Sequence, residues 1–103
     1  MIKVNCVVSN DLINKISIKG HADYDTLGKD IVCAAVSSIV TTTINNIITL
    51  EENAIKYDTK EGNVNITVLR NNEITDKLLN VMINMLKELA IDYPQNIKIG
   101  GLR

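Results

Sequence analysis

From Ile31 to Leu50 the chain runs for 20 residues without a single charged side chain. No Gly, Pro or Asp interrupts the run, and few conformations suit a stretch of that length and character. Twelve of its residues are Ile, Val or Thr, types that lose side-chain freedom in a helix and sit comfortably in a strand. Length decides against the strand, since strands usually stop within roughly 3–10 residues. The run therefore reads as a helix with Asp30 as N-cap and residues 32, 36, 39, 40, 44, 47 and 48 as its apolar stripe. Burial on more than one side, rather than intrinsic propensity, has to hold such a helix. A partner subunit is one source of the second burying surface.

The segments around it alternate with period two. Ile2, Val4, Cys6 and Val8 share one face of a strand over residues 2–8, with Lys3 and Asn5 on the other. Ser9-Asn10-Asp11 is a turn signal, and a second strand over 13–19 turns Ile16 and Ile18 inward, completing a hairpin. Runs 54–59 and 63–70, joined around Lys60-Glu61-Gly62, form a second hairpin. Thr75 is expected to cap a second helix over about 76–91 whose apolar face is Leu78, Val81, Met82, Met85 and Leu89. Ile74 and Leu79 stand at the positions of a hydrophobic staple. Tyr93-Pro94 stops that helix, and Asn96–Gly100 is a short final strand. The order β-β-α-β-β-α-β predicts an α+β fold, with a mainly antiparallel sheet carrying two helices, in one domain spanning residues 1–103. With three Tyr and no Phe or Trp, the core has to be built from Ile, Val, Leu and Met.

Charge offers little direction. Eleven basic and twelve acidic side chains leave a net charge of −1, so no direct nucleic-acid binding is expected. The first ten residues lack the apolar run of a signal peptide, and the longest unbroken apolar run, Ile31–Val36, is far short of the ~20 residues of a membrane span. A cytoplasmic protein with no membrane contact is expected, its two cysteines free thiols. Cys6, on the apolar face of its strand, reads as a small core residue.

The chemistry concentrates between Gly20 and Ser38, which hold the only histidine, His21, and the second cysteine, Cys33. With Asp30 as N-cap, Cys33 takes the third helical position, near unpaired backbone N–H groups and the positive end of the helix dipole. Such a position lowers a cysteine pKa, as would an imidazolium nearby, while the charge of Asp30 opposes the shift. Taken singly, a histidine after a strand is usually a surface group and a cysteine in an apolar helix usually core. Together, at the two ends of one loop with Gly20 and Gly28 near those ends, they suit a thiol nucleophile and its base. Two metal readings fail. Asp23, Asp25 and Gly28 match positions of a calcium loop, but Leu27 and Ala34 fall where oxygen ligands are required. His21, Cys33 and one aspartate are one ligand short of a zinc site, so no metal and no cofactor is expected.

The residues Gly20-His21-Ala22, Gly28 and Asp30-Ile31-Val32-Cys33-Ala34-Ala35-Val36-Ser37 resemble the defining motif of the bacterial ribosomal-processing cysteine protease family. The motif spans about a fifth of the chain, and length, element order and the late Tyr-Pro agree elsewhere. The resemblance implies an endopeptidase that removes a short N-terminal extension from a large-subunit ribosomal protein, the twenty-seventh. It implies Cys33 as nucleophile and His21 as general base and then acid. Asp30 would orient or cap, and Ser37, one turn beyond Cys33, would support the site. It further implies a homodimer and a mobile loop, Ala22–Lys29, whose Gly20 and Gly28 absorb the motion. Backbone N–H groups at the helix start are the expected oxyanion donors. The rival from another class is a non-enzymatic, ribosome-associated binding or scaffold protein in which Cys33 is structural. A redox thiol is a third reading, and it lacks a resolving cysteine if Cys6 is buried.

Overall fold

The computed structural model describes residues 1–26 and 28–101. Leu27, weighed above as a calcium-loop position, lies outside the described residues. The element order is β1 (Ile2–Ser9), β2 (Leu12–Lys19), α1 (Ile31–Leu50), β3 (Ile55–Lys60), β4 (Asn63–Val68), α2 (Glu73–Asp92) and β5 (Ile97–Gly100). The strands form one sheet in the order β3-β4-β2-β1-β5, antiparallel throughout except where β5 runs parallel to β1. This is the α+β fold the sequence predicts.

Each hairpin follows from its turn. Asn10 and Asp11 both have positive φ, 54° and 64°, so a two-residue mirror-image turn matches the twist of β1 and β2. Opposed residues put Cys6, Ile16 and Ile66 in one row across three strands, and all three are buried beneath the helices. β4 stops at Val68, two residues before the expected end, because the N–H groups of Leu69 and Arg70 both turn to the carbonyl of Ala54, at 2.8 and 3.2 Å.

α1 is the uncharged run, and its bounds coincide with those read from the sequence. By length and composition alone it could cross a membrane. Instead Val32, Val36, Val40, Ile44 and Ile47 are buried against the sheet and α2, while Ser38, Thr41, Thr42, Asn45 and Asn46 face outward. That is the arrangement of a core helix in a two-layer fold.

α2 departs from expectation in its start and its inward face. Asn72, not Thr75, is the N-cap, and its side chain accepts the Thr75 N–H at 2.8 Å. Thr75 is a buried residue of the first turn, and no staple between Ile74 and Leu79 forms, because Ile74 is exposed. The face on the sheet is Thr75, Leu79, Met82, Ile83 and Leu86, whereas Val81 and Met85 are 55% and 46% exposed. Moving the helix start back by three residues leaves the periodicity intact and changes which apolar stripe turns inward. An apolar stripe, Ile74, Val81 and Met85, is left on the outer side.

Candidate active site

Asp30 organises the loop and the helix start together. One carboxylate oxygen accepts the N–H groups of Val32 and Cys33, both at 3.0 Å. The other accepts those of Tyr24 at 2.9 Å and Asp25 at 3.2 Å. Burial alone would raise the Asp30 pKa, but these four donors outweigh it and hold the carboxyl below its ordinary value. Asp30 therefore caps the helix and pins the loop. Its two oxygens are occupied by backbone, so it does not serve as an orienting partner for His21.

Cys33 is half-buried in the first turn of α1, and its sulfur accepts the backbone N–H of Ala22 at 3.3 Å. Ala22 is itself fixed: its side chain is fully buried, and its carbonyl accepts the Asn96 side-chain amide at 2.9 Å. Beyond it, Tyr24 meets Tyr93 edge to face with ring centroids 5.3 Å apart. The first half of the loop is thus held by more than its apolar residues, since Asp30 takes two of its amides and Asn96 a carbonyl. The helix-start N–H groups expected to receive an oxyanion are engaged as well, those of Val32 and Cys33 both resting on Asp30.

His21 is exposed at the end of β2 and packs beside the β3–β4 turn. A Cβ placed on Gly62 would lie 3.1 Å from His21 Nε2, and the Gly62 carbonyl accepts the Gly20 N–H at 2.8 Å. Gly20 has φ +97°, and a Cβ there would come within 2.5 Å of the Met1 carbonyl oxygen, so only glycine fits. Among the described residues no hydrogen bond joins the imidazole to the thiol, but both line the same two cavities.

Those cavities meet at Cys33. One, of about 480 Å³, is a groove between α1 and the β3–β4 hairpin, floored by Val36, Val40, Ile44, Ile18 and Val64. The other, of about 550 Å³, runs along the loop, where Asp23, Asp25 and Glu61 give it acidic walls. Ser37 borders both, and Gly28 borders the second. Sequence reading missed the Glu61-Gly62 wall, the Ala22 N–H on the sulfur, and Asn96 behind it. Gly62 was visible only as a turn glycine, and nothing local marks Asn96. Among the described residues no three His, Cys, Asp or Glu side chains gather as metal ligands would. Cys6 sits 1% exposed in the core, its thiol pKa pushed up chiefly by burial.

The Cys33 thiol and the His21 imidazole thus border the same two cavities, one of them an apolar groove along α1. The cysteine protease Prp family matches residues 1–98. The chain belongs to the Prp family. It is 33% identical over 104 residues to the ribosomal processing cysteine protease Prp of Staphylococcus aureus, covering 97% of this chain and 98% of that one. With the Prp of Mycoplasma pneumoniae it shares 37% identity over 93 residues, covering 87% and 89%. The crystal structure of the S. aureus Prp with a covalently linked product peptide superposes with a TM-score of 0.93 at 28% identity, covering 97% and 98%. As a Prp, this protein is a cysteine protease. The scaffold reading is set aside.

Proposed function

We propose that this protease removes the short N-terminal extension of a large-subunit ribosomal protein, the twenty-seventh, using Cys33 as nucleophile and His21 as proton carrier. The observation that carries the reading is that Cys33 and His21 share both cavities at the point where they join. The S. aureus relative is named a ribosomal processing protease, which supports the substrate class. An apolar groove on one side of the thiol and acidic walls on the other suit a polypeptide in which an apolar segment adjoins a basic one.

In this reading His21 takes the thiol proton and the sulfur attacks the scissile carbonyl, forming a C–S bond. The tetrahedral oxyanion needs a donor that is not already committed. Ala22 N–H, 3.3 Å from the sulfur, is the group best placed to turn from sulfur to oxyanion. His21 then gives its proton to the departing amine as the C–N bond breaks. Water, losing a proton to His21, cleaves the thioester and returns the thiol.

The protein acts in the cytoplasm as a homodimer. The exposed stripe of Ile74, Val81 and Met85 on α2 supports the dimer, since it places apolar surface where α1 has mostly polar side chains. Incubation with the extended ribosomal protein, followed by mass measurement, tests the activity. The expected result is a shortened product with the wild type and none with Cys33→Ala. An unchanged mass with wild type, or cleavage by Cys33→Ala, would overturn it.

A further inference from the structure

The side chains on the sheet face turned away from the helices are far from random. Opposed residues fix three rows across it. The first reads Lys60, Asn63, Lys19, Lys3, Lys98 from β3 to β5. The second reads Asp58, Asn65, Ser17, Asn5, Gly100, and the third Lys56, Thr67, Lys15, Val7. Six of the chain's eleven basic residues therefore lie on this face, all exposed, with Asp58 as its one carboxylate. The other acidic residues belong to helices and loops, so a net charge of −1 conceals a strongly cationic surface.

Lysines on outer strands are an ordinary guard against edge pairing, which accounts for Lys56, Lys60 and Lys98. It does not account for Lys3, Lys15 and Lys19, which stand on the inner strands β1 and β2. Lys3 is opposed by Lys19 on one side and Lys98 on the other, and like charges so placed destabilise a sheet. A bound polyanion relieves that repulsion.

We propose that this face binds the backbone of double-stranded RNA. The two cationic rows are four residues apart along β2, about 13 Å. Between them lie Asn65 and Asn5, neutral side chains that donate and accept hydrogen bonds, with the Ser17 hydroxyl buried between them. Two lines of cations flanking a line of amides match a wide, shallow RNA groove, where 2′-hydroxyls lie between two phosphate strands. The face has no aromatic side chain on which an unpaired base could stack, which disfavours single strands. Val7 is its one exposed large apolar residue, too little to enter a lipid layer.

The test is fluorescence anisotropy with the full chain and a labelled RNA duplex, beside a DNA duplex of the same sequence and vesicles rich in anionic lipid. RNA duplex is expected to bind tightest, weakening roughly a hundred- to thousandfold between about 50 and 200 mM salt. Lys3→Gln, Lys15→Gln and Lys98→Gln together are expected to weaken binding at least tenfold and lower the salt slope by about three. These side chains are exposed and remote from Cys33, so folding, followed by circular dichroism, and alkylation of Cys33 stay as in wild type. The proposal is overturned by equal affinity for the two duplexes, by preference for vesicles, by no binding at low salt, or by a triple variant that binds like wild type. None of these readouts depends on peptide cleavage.

Discussion

Replacing Gly62 separates two consequences of one added carbon. Gly62 has φ +73°, where an L-residue is strained, and its missing Cβ faces His21 Nε2 at 3.1 Å. Gly62→Ala therefore pays a left-handed backbone cost of about 1–2 kcal/mol and also pushes the imidazole aside. For a domain of this size that cost is a melting temperature lower by about 4–8 °C per kcal/mol. The 3.1 Å approach obliges the ring to yield by a few tenths of an ångström. Since a 1 Å misplacement costs about a hundredfold in rate, kcat/KM is expected to fall roughly 3- to 10-fold. Gly62→Asn keeps the intruding carbon but tolerates positive φ, so its melting temperature falls less while its kcat/KM falls at least as far. The assays are thermal unfolding and cleavage of a fluorogenic peptide. If Gly62→Asn regains wild-type kcat/KM, or if both variants keep full activity, the hairpin does not position His21 and the reasoning fails.

Four further outcomes follow from the same geometry. Cys33→Ala and His21→Ala are each expected to abolish cleavage while unfolding like the wild type, and full activity in either would remove the proposed chemistry. Cys6→Ala is expected to cost about 1–2 kcal/mol in denaturant unfolding and leave kcat unchanged, since Cys6 is 1% exposed among core residues. Asp30, with its carboxyl lowered from 3.8, adds stability that is complete above that value and is lost as pH falls through the lower folded pKa. Asp30→Asn is thus expected to flatten the acid limb of a melting-temperature profile, and an unchanged limb would refute the assignment. Sedimentation is expected to give about twice 11.4 kDa for the wild type and the monomer mass for Met85→Lys, and a wild-type monomer at micromolar concentration would exclude the dimer.

How far the sequence could be read depended on whether the deciding interaction was local. Alternation exposed β1 and β2, and an uninterrupted, uncharged run bounded by Asp30 exposed α1, because each pattern repeats within a few residues. The cap by Asp30 was equally local, acting on amides two and three residues on. On α2 two apolar stripes fit the same helical period, and only the sheet beneath decides that Leu79, Met82 and Leu86 turn inward. The parallel pairing of β5 with β1 and the approach of Gly62 to His21 join residues far apart in the chain, and no spacing announces them. The candidate site was therefore visible as a histidine and a cysteine at the two ends of one loop and invisible as their surroundings.

Asn96 gives the site a place in time as well as in space. Its carbonyl accepts the Ile2 N–H at 2.8 Å, and its side-chain amide donates to the carbonyl of Ala22, 74 residues back, whose own N–H rests on the sulfur. Synthesis of the chain reaches Ala22 74 residues before it reaches Asn96. Until then β1 has no neighbour on one side and the loop beside the thiol lacks its tether. The Cys33 sulfur thus emerges well before the Asn96 amide that tethers the segment beside it.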